Sequence, residues 1–111
     1  MNHGLPATTV ARIQGVLAGY PEVEKAVLYG SRAKGTQRKG SDIDLTLIGP
    51  DLNHTLLTRI IQELDDLLLP YQIDLSLRSS LTHPALLDHI QRVGVALYER
   101  TPGAVTAQSK A

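Results

Sequence analysis

Two aspartates open the argument. Asp42 and Asp44 stand either side of Ile43 in the run Asp42-Ile-Asp-Leu-Thr-Leu-Ile48, where Ile43, Leu45 and Leu47 alternate with Asp42, Asp44 and Thr46. That alternation predicts a half-buried strand, and residues i and i+2 of a strand share a face. The two carboxylates would then project side by side, roughly 7 Å apart at the backbone. Two like charges held together repel, and a divalent cation removes the penalty. Oxygen ligands with no Cys or His beside them suit Mg²⁺ or Mn²⁺, ions that bridge carboxylates and substrate phosphates. The same pair could instead simply face water.

The loop ahead of the pair adds the complementary chemistry. Gly30-Ser31 follows the apolar run Ala26-Val-Leu-Tyr29, so a glycine and a hydroxyl sit where a strand passes into a turn. Arg32, Lys34, Arg38 and Lys39 make the loop basic, and the sign reverses at Asp42. Donors for phosphate oxygens beside carboxylates for ions are what a metal-bound triphosphate needs, although any one of these cations could be a solvated loop charge. Asp74 supplies a third carboxylate. It lies on the polar phase of Tyr71 to Arg78, a second alternating segment, so adjacent strands would bring it to the first two. Three carboxylates can hold two ions about 3.5–4 Å apart for displacement at phosphorus. One can also take the proton of an attacking hydroxyl.

The elements that must position these residues follow from punctuation and period. Val10, Ile13 and Leu17 predict a helix from Thr8 to Gly19, opened by Pro6 or Thr8/Thr9 and closed by Gly19-Tyr20-Pro21. Leu52 to Leu69 carries an apolar stripe that includes Leu56, Leu57, Ile60, Ile61, Leu64, Leu67 and Leu68, with Asp51 or Asn53 as cap and Pro70 as stop. Pro84 to Val93 predicts a further helix with Thr82 or His83 as its cap, and Val95 to Tyr98 a last short strand. The fold class expected is α/β (α+β), a small mixed sheet with helices on one face, leaving the other face for the aspartates. Residues 1–99 would form the domain and residues 100–111 a disordered tail.

Composition bounds the function. The chain has 111 residues with eleven Lys+Arg against eleven Asp+Glu, so bulk positive charge is not holding nucleic acid. It has no Cys, Trp or Phe, which excludes disulfides, thiolate metal sites, cysteine nucleophiles and most stacking platforms. No apolar run reaches the roughly 20 residues of a membrane span, and no signal peptide is visible, so a cytoplasmic location is expected. His3, His54, His83 and His89 lack ligand spacing and are read as surface or capping residues. Asp65-Asp66 reads as a solvated pair, and the Arg78 to His83 spacing as chance.

Gly30-Ser31, ten residues, then Asp42-Ile43-Asp44 resembles the G-S-x10-D-x-D signature of the DNA polymerase β-like nucleotidyltransferases. The stretch from Tyr29 to Leu45 is similar to the minimal nucleotidyltransferase (MNT) branch, and the resemblance covers roughly residues 8 to 99. It implies a polymerase β-like core, with Gly30, Ser31, Arg32 and Ser41 as nucleotide-binding residues. It also implies Asp42, Asp44 and Asp74 as metal-binding and catalytic carboxylates, Mg²⁺ (two ions, or Mn²⁺) as cofactor and ATP as substrate. In the MNT branch the partner is a small helical HEPN ribonuclease toxin, whose tyrosine receives AMP from the antitoxin. Two other readings stand beside it. One is a module that neutralises its partner by contact alone; the other is a small-molecule adenylyltransferase that dimerises to build its pocket. Nothing but a short tail follows Tyr98, so the acceptor would be held by a partner protein or a second subunit. Direct nucleic-acid or membrane binding is not expected.

Overall fold

The computed structural model describes residues 4–30 and 42–100; statements below concern those residues. The order is α1 (Ala7–Ala18), β1 (Lys25–Tyr29), β2 (Ile43–Ile48), α2 (His54–Asp65), β3 (Ile73–Leu77), a short 3₁₀ turn (Arg78–Ser80), α3 (Pro84–Val93) and β4 (Val95–Glu99). The strands form one sheet in the order β3-β2-β1-β4. β1 runs antiparallel to both β2 and β4, while β2 and β3 are parallel. A parallel pair needs a long crossover, and α2 supplies it. The expected α+β class with a mixed sheet is what the chain adopts.

The core lies between one face of the sheet and the pair α1 and α2. Ile13 and Leu17 of α1 and Ile60 and Leu64 of α2 meet Leu28, Ile43, Leu45, Leu47 and Leu77 from the strands, all essentially buried. Ile43, Leu45 and Leu47 of β2 are buried as their pattern predicts, but Thr46 on the opposite phase is buried as well. Asn53 caps α2 by accepting the Leu56 N–H at 2.9 Å, one of the two caps expected. His83 occupies the cap position of α3 but makes no side-chain bond there. Gln14 of α1 donates to Leu97 O at 2.8 Å, tying the edge strand β4 to the same layer.

Three features differ from expectation. First, α1 and α2 cover one face, but α3 lies on the other. Its Ile90 is buried outside the main core, and a Cβ on Gly94 would stand 2.6 Å from Val27 Cγ1, a side chain on the polar phase of β1. The continuous apolar run of β1 thus reflects burial on both faces. Second, α2 ends at Asp65 rather than Leu69. Leu67 and Leu68 bond back to Leu64 O and Asp65 O in tight turns, and Leu68 adopts φ 55° with 87% of its surface exposed. The chain must leave the helix early to reach β3, so Leu68 falls off the apolar stripe. Third, Arg100 belongs to the folded unit. Its N–H donates to Glu24 O at 2.9 Å and its guanidinium to Tyr20 O and Val23 O at 3.0 and 3.3 Å. The rest of the expected tail, residues 101–111, lies outside the described residues. No described helix is long and apolar enough to cross a membrane.

Candidate active site

The register of the sheet brings the acidic residues together. Asp44 is the direct partner of Asp74 across the parallel β2–β3 pair and of Tyr29 across the antiparallel β1–β2 pair. Neighbouring strands lie about 4.8 Å apart, so Tyr29, Asp44 and Asp74 form a row across one face. Asp42 stands one residue ahead of β2 and is exposed, as is Asp74, while Asp44 is half-buried. Burial raises the Asp44 pKa above its ordinary value, and the charges of Asp74 and then Asp42 raise it further. His89 works against them. The charges of Asp74 and Asp42 are thus both felt at Asp44.

Gly30 closes the row from below. It has φ +79°, a conformation that favours glycine, and a Cβ built there would run into Asp44 Oδ2, with Asp44 Cγ at 3.2 Å. Its N–H is already engaged, donating to His89 Nε2 at 3.0 Å. The glycine is therefore required for space: it leaves the Asp44 carboxylate room against the backbone. Ser31, Arg32 and Ser41, the other expected nucleotide-binding residues, lie outside the described residues, as do Lys34, Arg38 and Lys39.

Two side chains join the site that residue spacing did not single out. Tyr29 shares the face with Asp44. Burial raises its pKa; the Ser76 hydroxyl, two residues beyond Asp74, opposes that, and the charges of Asp44 and Asp74 add to it. His89 meets the Tyr29 ring edge-on, with centroids 6.4 Å apart and planes at 79°. His89 was expected at the surface. Its position within Leu86, His89, Ile90 and Val93 on the inward spacing of α3 was the available signal. By contrast, Arg78 lies in the 3₁₀ turn and His83 before α3, so the spacing between them carries no shared helix face. Asp65 and Asp66 are exposed, as expected.

A cation fits the charge of this site. Among the described residues the one ion pair is Arg92–Asp88, so no described Lys or Arg sits on the three aspartates. Nor do three or more described His, Asp or Glu side chains close into a metal cage. Carboxylate oxygens are the donor type that Mg²⁺ takes alongside waters and substrate phosphates.

The chain is thus a mixed α+β domain carrying acid groups across one sheet face, with a side-chain-free turn packed on the central one. Residues 11–102 match the family described as "Polymerase beta, Nucleotidyltransferase", and the chain belongs to that family; it is a nucleotidyltransferase. Among solved structures, a chain of a toxin–antitoxin complex with AMP-PNP is 25% identical with a TM-score of 0.66, over 91% of this chain and 85% of that one. A chain of the MntA–HepT toxin–antitoxin complex is 21% identical with a TM-score of 0.64, over 95% and 86% of the two chains. A third similarity is to the complex of tri-AMPylated Shewanella oneidensis HEPN toxin with MNT antitoxin, 20% identical, TM-score 0.62, over 93% and 80%. A comparison with curated protein sequences finds no match.

Proposed function

We propose that this chain is an Mg²⁺-dependent adenylyltransferase that moves AMP from ATP to a tyrosine hydroxyl of a HEPN-type toxin and so acts as its cytoplasmic antitoxin. The observation that carries the reading is the pairing of Asp44 with Asp74 directly across two strands, with Gly30 packed against the Asp44 carboxylate. Family membership supplies the reaction class, and the similarity to the chain crystallised with AMP-PNP supports an adenine nucleotide.

Asp42, Asp44 and Asp74 would hold the metal, which when bound supplies positive charge to the phosphate oxygens. The chain's own residues then do the following. Gly30 keeps the backbone clear of Asp44, and Ser31 and Arg32 engage the phosphates. Asp74, the exposed carboxylate at the end of the row, faces the incoming hydroxyl and takes its proton. The acceptor oxygen bonds to the α-phosphorus as the bond to pyrophosphate breaks, and pyrophosphate leaves with the electron pair. An in-line displacement of this kind depends mainly on positioning and charge stabilisation.

The test is transfer of label in lysate of the source cell, with the purified protein, Mg²⁺ and ATP labelled at the α-phosphate. The expected result is one protein band labelled from the α but not the γ position, at the mass of a small helical toxin, and absent with Asp44→Asn. Binding to a lysate protein without any α-label would overturn the transfer reading and leave neutralisation by contact. Label on a small molecule alone would overturn the protein acceptor.

A further inference from the structure

α3 brings His89 to the end of the sheet where the carboxylates stand, 59 residues along the chain from its hydrogen-bond partner Gly30. The imidazole is held from two sides. Nε2 accepts the Gly30 N–H at 3.0 Å, which leaves the ring proton on Nδ1, and the ring meets the face row through its edge-on contact with Tyr29. Tyr29 is in turn the register partner of Asp44. Gly30 is the last described residue before the basic loop, and its Cα lies against the Asp44 carboxylate. A shift of Gly30 would therefore change the space in which Asp44 sits.

Other roles fit these contacts less well. A residue that only packed would need the Tyr29 contact but not the backbone bond. A metal ligand would need the Nε2 lone pair, which is committed to Gly30. We propose that His89 is a positioning residue: its imidazole pins Gly30, and through Gly30 it holds the backbone against the Asp44 carboxylate. The proposal rests on the nucleotidyltransferase reading of the site.

Three forms of the full chain test this: unaltered, His89→Leu and His89→Gln. Leucine keeps bulk and removes the acceptor; glutamine restores an acceptor oxygen without the ring. The measurements are ATP affinity with Mg²⁺ by calorimetry, and thermal melting. Loss of one neutral hydrogen bond should weaken ATP binding of the leucine variant about tenfold. Glutamine should recover binding to within about threefold of the unaltered chain, and the leucine variant should melt only a few degrees lower for the one hydrogen bond it loses. Equal ATP affinity in all three forms would overturn the proposal while leaving the reading of the site intact. A glutamine variant as weak as leucine would also overturn it, since the acceptor would then not matter. An unaltered chain that binds no ATP would overturn this proposal and the nucleotidyltransferase reading together.

Discussion

Replacing Gly30 with alanine tests whether the turn and the central carboxylate form one device. At φ +79° an L-side chain costs about 1–2 kcal/mol relative to glycine. The new Cβ would also run into Asp44 Oδ2, with Asp44 Cγ only 3.2 Å away. Because Asp44 is half-buried, its carboxylate can swing aside, at a further 0.5–1.5 kcal/mol or so for leaving its rotamer. The total is roughly 2–3 kcal/mol, or about 10–20 °C in melting temperature for a domain of this size. The fold should survive. Activity should not, because a carboxylate that withdraws by about 1 Å costs on the order of 100-fold in a reaction that depends on positioning.

A double-mutant cycle separates the two causes. In an Asp44→Ala background the colliding atoms are gone and the nearest remaining contact, Asp44 Cβ at 3.6 Å, is ordinary. Gly30→Ala should then cost only its backbone part, leaving a coupling of roughly 1 kcal/mol between the two positions. Circular dichroism melts give the stabilities and α-labelled ATP the transfer rate. Additive stabilities, or a Gly30→Ala chain that transfers within threefold of normal, would refute the steric argument.

Three further outcomes follow from the same structure. Leu68→Gly should raise the melting temperature by about 3–6 °C in a thermal melt, since a largely exposed leucine at φ 55° gives up a conformation glycine adopts freely. Asn53→Ala should lower the urea midpoint by the equivalent of about 1 kcal/mol through loss of the Leu56 N–H bond, with Asn53→Asp close to normal. Asp44→Asn should abolish transfer yet stabilise the metal-free chain at neutral pH. The sign follows from the raised Asp44 pKa: the folded state holds the proton more tightly than the unfolded, so this stabilisation is present at low pH and is lost as pH rises through the raised pKa. Melts from about pH 4 to 7 in chelator should therefore show a steeper loss of stability in the unaltered chain than in Asp44→Asn. Mg²⁺ should recover it only in the unaltered chain.

What could be read from the residues, and what could not, divides by distance along the chain. The strand Ile43–Ile48 and the placement of Asp42 and Asp44 are local facts, written in a two-residue period. Asp74 follows almost as directly, because its strand alternates in the same phase and α2 is long enough to carry a parallel crossover. The end of α2 is not legible in the pattern because Leu67, Leu68 and Leu69 prolong an apolar stripe, and period alone cannot say that the chain must turn at Asp65 to enter β3. The side of the sheet taken by α3 is harder still. An amphipathic helix shows that it has an apolar face but not which surface that face meets. Only the unbroken run through Ala26, Val27 and Leu28 hinted at a strand covered twice. His89 depends on all of these at once. Among leucines on a short helix it is an ordinary half-buried histidine, and it acquires a partner only when topology sets α3 over the polar face beside Gly30. Gly30, Asp42 and Asp44 could be found by spacing because they lie at the facing ends of two strands consecutive in the chain. The residue that braces the turn could not, because the contact that defines it is made by the fold.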